Sequence, residues 1–398
     1  MKAEQKFFVQ LLRDFVHSAP SAEPSEALDW TLLAQYAERQ ELCGVVYAQC
    51  REMKGIDAEA LERLHAGFLS DAYRAVNGEA AMAEVASAFD EAGVEYLPFK
   101  GEVLRRYYPT PELRTMGDHD ILIHREERER SDRLMRELGY ERLIDRQEVW
   151  AYRRPTLMLE IHDTMFYEHL TNRIDYCGYF ERVWDSALPS EGHGYLPKPE
   201  LHFLYLMAHT AKHIVNYGMG FRAFLDMVFF CRGEASLDWD CIAQELRRLS
   251  LYEFTLRCFS LCEAWFQVKM PLPCGAAAAD FLTDITEKIF RDGVFGYGNQ
   301  EDNAGARSAK EALHDGRTYA LTAVRLTVQR VFPPYRDLQL VPWYSWLDGK
   351  PWLLPAAWVY RWIYVLLRKQ SKGRNKLNEA FRMDSIRKRQ TYLERWGL

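Results

Sequence analysis

The acids Asp118 and Asp120, at the head of the apolar run ILI (121–123), constrain the fold of this chain more than any other feature. Charged residues are depleted in β-strands. Residues i and i+2 of a strand point to the same face, about 6.6 Å apart, so these two carboxylates lie side by side. Their repulsion raises the pKa of one acid unless a cation lies nearby. The spacing therefore predicts a strand that carries a cation site.

A third acid, Glu160, lies in the run TLMLEIHD (156–163), which is typical of a buried strand. A carboxylate flanked by apolar residues is costly to bury without a partner. Mg²⁺ prefers a few carboxylates together with substrate phosphates, and two divalent ions about 4 Å apart promote in-line displacement at phosphorus. We therefore expect Asp118, Asp120 and Glu160 to bind Mg²⁺ or Mn²⁺ and to be the catalytic residues.

A phosphate-binding element is predicted at Lys100 and Gly101, which follow the predicted strand VEYLPF (94–99). Free N–H groups at the start of a helix favour phosphate, and glycine lets a ligand approach the backbone closely. Lys100 and the bidentate fork of Arg114 are then expected to bind the triphosphate of an NTP.

Each of these patterns also has a structural explanation. An isolated Asp-x-Asp is common on surface strands, a Lys-Gly pair at the end of a strand is most often a turn, and Glu-x-His on a strand is usually structural. The order of the patterns favours function. A strand, a Gly, a short helix, an Arg, the paired acids and a later acid are hard to produce together by chance.

Two further pairs of residues are spaced i, i+4 on predicted helices. His209 and His213 suit a metal by spacing, but the Glu of a zinc protease motif is missing, and packing against the α/β unit is the simpler interpretation. Arg222 and Asp226 are expected to form an intrahelical ion pair. The alternative is that Asp226 orients a group at the site.

The organisation of the chain predicts an α+β protein, in which a small mixed β-sheet with helices is embedded in helical regions. Its 398 residues suggest two or three domains. Helical periodicity dominates before Gly93 and returns after about residue 198. The predicted divisions are a helical region (1–92), the α/β core (93–198) and a helical region with an aromatic, basic tail (199–398).

The chain is expected to be cytoplasmic, because its N-terminus lacks a secretory h-region and no charge-free apolar stretch is long enough to span a membrane. Its formal net charge is −6, which gives no overall attraction to nucleic acid or membranes. The segment 341–376 differs, because it combines five tryptophans with a basic cluster. Burial against the helical region, peripheral membrane contact and a nucleic-acid groove are the alternatives.

The ordered motifs resemble the nucleotidyltransferase superfamily that includes DNA polymerase β, and in particular a large bacterial branch of it. The resemblance covers roughly residues 77–230. It rests on the following residues: Asn77, Lys100-Gly101, Arg114, Asp118-His119-Asp120, Glu160-Ile161-His162, HTAKH (209–213) and RAFLD (222–226). Two positions depart from better-known members: Glu102 replaces a Ser that helps hold a phosphate, and His119 replaces an apolar residue.

The resemblance implies an Mg²⁺-dependent enzyme that transfers NMP from an NTP, most simply ATP, to an acceptor with release of pyrophosphate. The acceptor is a small molecule, a protein or an RNA. It also implies that Asp118 and Asp120 hold both ions and that Glu160 binds the one that activates the acceptor. Apart from the resemblance, a second group of residues is expected to support the site. These supporting residues are His162, His209, His213 and Asp226. The alternative is a catalytically weak nucleotide-binding or scaffold protein of the same fold. One form of this alternative places the protein at the membrane surface.

Overall fold

The computed structural model describes residues 1–145, 149–155, 157–167, 170, 174–216, 218–234, 236–294, 332–335, 338, 346–347, 349–367 and 383–398. Part of the aromatic and basic segment, residues 341–345, 348 and 368–376, lies outside the described residues. The chain forms two compact units. The first is drawn from Met1–His169, Ile174–Gly298 and Arg395–Leu398, and the second from Leu170–Arg173 and Asn299–Glu394.

Four helices open the first unit, and local sequence explains their ends. The side chains of Asp29 and Asp57 accept hydrogen bonds from backbone N–H groups three residues on, as N-caps do. Gly93 ends the last of the four with a φ of +67°, a left-handed conformation that favours glycine. This helix begins at Ala58, within the region before Gly93 where helical periodicity was predicted. The helices are α1 (Ala3–Val16), α2 (Trp30–Gln40), α3 (Cys43–Cys50) and α4 (Ala58–Ala92).

A five-stranded mixed sheet follows, as the sequence predicted. The spatial order is β1-β2-β5-β4-β3, in which β2 and β5 are parallel and the other neighbours are antiparallel. The α+β fold class is therefore confirmed. The strands are β1 (Tyr96–Phe99), β2 (His119–Ile123), β3 (Glu141–Asp145), β4 (Val149–Arg154) and β5 (Leu157–His162).

Short elements connect the strands and follow them. The turn of helix predicted after β1 is present, and a charged helix, α6, lies between β2 and β3 in the chain. The small hairpin of β6 and β7 was not predicted. These elements are α5 (Gly101–Leu104), α6 (Arg128–Glu137), α7 (Tyr176–Glu181), β6 (Leu188–Pro189) and β7 (Tyr195–Leu196).

The two faces of the sheet have different environments. On one face, Ile121 and Ile161 belong to a buried apolar cluster that includes Phe89 of α4 and Met135 of α6. Because side chains alternate along a strand, Asp120 and the neighbours of Ile161 point to the opposite face. Helix and sheet together thus bury one face in a core and leave the other for the site.

Helices α8–α12 complete the first unit. Aromatic contacts join them to the N-terminal helices, since Phe8 packs against Phe221 and Phe290 with ring centroids 5.9 and 5.4 Å apart. The helices are α8 (Pro199–Asn216), α9 (Phe221–Gly233), α10 (Trp239–Arg248), α11 (Tyr252–Phe266) and α12 (Ala279–Asp292). The predicted domain boundaries after residues 92 and 198 stay a prediction.

The last two helices are α13 (Leu354–Leu367) and α14 (Met383–Trp396). The C-terminal end of α14 belongs to the first unit, where the Trp396 ring packs 5.7 Å from that of Phe254 and 5.3 Å from that of Phe281. Among the helices that the structure describes, none is long and apolar enough to cross a bilayer.

Candidate functional site

Asp120 and Glu160 are brought together by strand pairing. They are register partners in the parallel strands β2 and β5, so their side chains point to the same face. His162, two residues after Glu160, shares that face. Its Nε2 lies 2.8 Å from Oδ1 of Asp120 and 3.4 Å from Oε2 of Glu160. One ligand atom from each of the three residues lies within 4.8 Å of those of the other two, which is close enough for one cation.

Lys100 approaches the same carboxylate from the neighbouring strand. It forms the turn between β1 and α5, with φ 52° and ψ −122°, a conformation that is strained for any residue except glycine. Its Nζ lies 2.6 Å from Oδ1 of Asp120. Strain of this kind persists where surrounding structure enforces it, and it often marks a functional position.

Gly101 is required by close packing. A Cβ at this position would lie 2.7 Å from Nη1 of Arg114, so a side chain there would displace the guanidinium. Gly101 and Arg114, both predicted to bind the nucleotide, therefore lie next to each other. The roles of both residues in nucleotide binding stay predictions.

Asp118 lies just before β2 and is exposed to solvent, outside the tight group of ligand atoms. The negative charge of Asp120 is the main cause that raises the pKa of Asp118, and the charge of Glu160 raises it further. The repulsion expected from the sequence is therefore present. The three acids influence one another, but only Asp120 and Glu160 are in the tight group.

The charges of Asp120 and Glu160 are stabilised by neighbours. Burial opposes ionisation of Asp120, but Lys100 and His162 outweigh it and hold its pKa well below the ordinary value. The hydrogen bond with His162 also lowers the pKa of Glu160. Both acids are therefore ionised at neutral pH. Lys100 and His162 both hydrogen-bond to Oδ1 of Asp120, so Oδ2 is the oxygen placed to bind a cation.

Helix α8 covers this face of the sheet. The ring of Tyr205 packs 5.5 Å from that of Phe99 and 5.6 Å from that of His209. His213 follows one turn later, with its Nε2 3.3 Å from Nε2 of His209. Burial, together with the charge of Lys212, lowers the pKa of His209. His209 is therefore a neutral side chain beside the site, and its supporting role stays a prediction.

Arg114 and Asp226 form a bidentate ion pair that ties the loop before β2 to α9. Nε of Arg114 lies 3.1 Å from Oδ1 of Asp226, and Nη2 lies 2.9 Å from Oδ2. Tyr108 donates a hydrogen bond of 2.8 Å to the same Oδ1. The predicted intrahelical pair of Arg222 with Asp226 is wrong. Arg222 instead binds Oε2 of Glu41 at 2.6 Å, because α2 and α9 pack so that this acid lies closer.

Several residues of the site were missed by sequence reasoning. Tyr205 could have been found, since it precedes His209 and His213 at the i, i+4 spacing of one helix face. The partner of His119 could not have been found from the sequence. Its Nδ1 hydrogen-bonds to Glu102, and its ring lies against Gly78 of α4. Glu102 and His119, the two positions that depart from better-known members of the superfamily, are thus hydrogen-bonded to each other.

The arrangement suits a hard divalent cation. Carboxylate oxygens are the ligands that Mg²⁺ prefers, and Asp118 and Asp120 repel each other unless positive charge is supplied. Lys100 provides one such charge beside Oδ1 of Asp120. Three acids and one ammonium give the site a net negative charge, so an additional cation favours the binding of an anionic phosphate there.

The comparison with family models agrees with this geometry. Residues 26–267, more than half of the chain, match the family described as "Uncharacterised nucleotidyltransferase". The chain belongs to this family. The match extends the predicted resemblance on both sides of residues 77–230 and includes α2, the sheet and all of α11. No significant match was found among curated proteins or solved structures.

Proposed function

We propose that this member of the nucleotidyltransferase family transfers NMP from an NTP, with ATP as the first candidate, to an acceptor hydroxyl. The acceptor oxygen forms a bond to the α-phosphorus, the bond from that phosphorus to the oxygen shared with the β-phosphate breaks, and pyrophosphate leaves. The proton of the acceptor hydroxyl goes to a carboxylate of the site. The observation that carries the proposal is the pairing of Asp120 with Glu160 beside Lys100.

Each of these side chains has a distinct role in the proposal. Glu160 is 26 % exposed and Asp120 only 3 %, so Glu160 is the one that reaches the acceptor. Its lowered pKa keeps it ionised, able to accept a hydrogen bond from the hydroxyl and then its proton. The ammonium of Lys100, held in place by Asp120, binds a phosphate oxygen of the NTP.

The donor set fits divalent metal. Asp118, Asp120 and Glu160 would hold Mg²⁺ or Mn²⁺, which would neutralise phosphate charge and align the reacting groups. The repulsion that raises the pKa of Asp118 is relieved by such a cation, and Oδ2 of Asp120 has no contact with Lys100 or His162.

The experiment follows label from each α-labelled NTP in the presence of Mg²⁺ or Mn²⁺, with cell extract as the acceptor. Label on a macromolecule or small molecule identifies the acceptor class. We expect Glu160→Gln and Asp120→Asn to lower the transfer roughly a hundredfold or more, as removal of one charge-stabilising group does. Asp284→Asn is the matched control, because Asp284 is 58 % exposed and pairs with Arg395.

Thermal unfolding of each variant separates loss of chemistry from loss of fold. Glu160 is half-buried, and its Oε2 lies 3.4 Å from Nε2 of His162. Glu160→Gln keeps the size and shape of the side chain, so this variant is expected to fold normally. Full transfer activity in both site variants would refute the proposal.

A nucleotide-binding scaffold is the second candidate, and one observation favours it. Oδ1 of Asp120 already accepts contacts from Lys100 and His162, so the site is held together without a ligand. Nucleotide binding by calorimetry, with no pyrophosphate released in the presence of any extract, would favour this candidate over transfer.

A further inference from the structure

Among its described residues, helix α13 carries apolar side chains on two opposite faces, one buried and one exposed. On the inner face, Ala357 is fully buried in a cluster with Leu338 and Leu347, and Trp358 packs at its edge. Nε1 of Trp358 donates a hydrogen bond of 2.9 Å to the carbonyl oxygen of Pro333. The inner face therefore fixes the orientation of the helix.

The outer face of α13 is exposed although it is apolar. Trp352, in the turn that leads into the helix, is 71 % exposed, Val359 59 % and Tyr360 48 %. With the exposed Ala356 they are spaced i, i+4, i+7 and i+8, which is one side of a helix. A helix that is apolar all round is normally buried. We call these four residues the outer aromatic face.

The charge of the surrounding sequence indicates the kind of partner. From Arg361 to Leu398 there are 11 Lys/Arg and 3 Asp/Glu, so this segment carries 11 − 3 = +8, and the rest of the chain −6 − 8 = −14. Basic residues next to exposed Trp and Tyr are typical of helices that lie in the interface of an anionic membrane. Trp and Tyr are enriched at that level, because each ring combines an apolar body with a polar atom.

We propose that the outer aromatic face docks on an anionic lipid surface, parallel to the membrane plane. The 14 residues of α13 extend about 21 Å, which is too short for a hydrocarbon core of about 30 Å. The helix therefore lies on the membrane and does not cross it. This inference is independent of nucleotidyl transfer, and it places the enzyme where an acceptor attached to a lipid surface is available.

The test is flotation of the full-length protein with vesicles of phosphatidylcholine alone or of phosphatidylcholine with phosphatidylserine. We expect flotation with the anionic vesicles, a clear loss at high salt because the attraction is electrostatic, and little binding to the neutral vesicles. The double variant Trp352→Ser/Val359→Ser should bind the anionic vesicles with an affinity at least roughly tenfold lower, because two apolar side chains are no longer buried on binding.

The matched control is the double variant Leu69→Ser/Tyr73→Ser. These residues are exposed to 52 % and 58 % on α4, so two exposed apolar side chains are likewise replaced by serine, but on another helix. The proposal is overturned if the protein does not float with anionic vesicles, if neutral vesicles bind it equally, or if the control weakens binding as much as the outer-face variant. Binding of single-stranded RNA without flotation would also overturn it, in favour of a nucleic-acid groove.

Discussion

The ammonium of Lys100 lies 2.6 Å from Oδ1 of Asp120, across the antiparallel pair formed by β1 and β2. Phe99 is the register partner of Asp120, so Lys100 comes one residue after the end of the ladder. The strained backbone at Lys100 places its side chain beside Asp120. The same residue therefore has a strained backbone and carries a positive charge of the site.

The strain at Lys100 predicts an unusual order of stability. Lys100→Gly and Lys100→Ala both remove the ion pair with Asp120, but only glycine adopts φ 52° and ψ −122° without strain. We expect Lys100→Gly to be more stable than Lys100→Ala by about 1 kcal/mol or more. Urea denaturation measures the difference. Arg133, an exposed position in a helix, is the control, and there Arg133→Ala should be more stable than Arg133→Gly. If alanine is also the more stable replacement at Lys100, the prediction is contradicted.

The Arg114–Asp226 pair predicts a large loss of stability when it is broken. Both side chains are nearly buried, with 9 % and 12 % exposed. Asp226→Asn leaves a buried guanidinium without its carboxylate, which costs about 3 kcal/mol or more. The measurement is the free energy of unfolding.

A similar bidentate pair, Arg63 with Glu38, provides the control. Its side chains are 32 % and 43 % exposed, so Glu38→Gln should cost at most about 1 kcal/mol. The double variant Arg114→Met/Asp226→Leu should recover part of the stability lost in Asp226→Asn. A double variant less stable than Asp226→Asn would show that the pair is not the cause.

His202 predicts a pH-dependent loss of stability. It is 1 % exposed between the rings of Tyr205 and Phe230, and burial, followed by the charges of Arg106 and Arg114, lowers its pKa from 6.5 to about 3. Below pH 6.5 the unfolded chain binds a proton that the folded chain does not. The contribution to stability is therefore complete above pH 6.5 and falls as the pH drops toward 3.

The expected loss at His202 is about 1.4 kcal/mol for each pH unit in that range. In His202→Leu the slope of unfolding free energy against pH should be smaller by that amount. His193→Leu is the control, because His193 is exposed. Equal slopes for the wild-type chain and His202→Leu would exclude this origin of acid sensitivity.

Gly78 predicts a reversal of the usual effect of alanine in a helix. Replacing a helix glycine by alanine normally stabilises by up to about 1 kcal/mol. Here a Cβ would lie 2.4 Å from Cε1 of His119, so Gly78→Ala should destabilise the protein by roughly 1–3 kcal/mol. His119→Ala removes the clash, and the double variant should be more stable than the sum of the two single changes predicts. Additive effects would contradict the contact.

Much of the sheet could be predicted from the sequence, because it depends on patterns within a few residues. The period-two alternation places Asp118 and Asp120 on one face, the apolar run around Glu160 indicates a strand, and Gly93 ends a helix. Whether Glu160 joins the acids depends on β5 pairing in parallel with β2, in register. No spacing in the chain encodes that register.

The charge partners could not be predicted in the same way. Arg114 and Asp226 are 112 residues apart in the chain, and Arg222 bonds to Glu41 from another helix although Asp226 lies one turn away. A local rule favours the nearest opposite charge on the same helix, but the packing of α2, α9 and the loop before β2 offers better geometry.

The sequence by itself determined the α+β architecture, the strand that carries the paired acids and the membership of a nucleotidyltransferase family. Only the tertiary structure decided that His162 and Lys100 share Oδ1 of Asp120, and that α8 covers the site. The physical reason is that periodicity fixes which face a side chain occupies, whereas packing of distant elements fixes what it meets there.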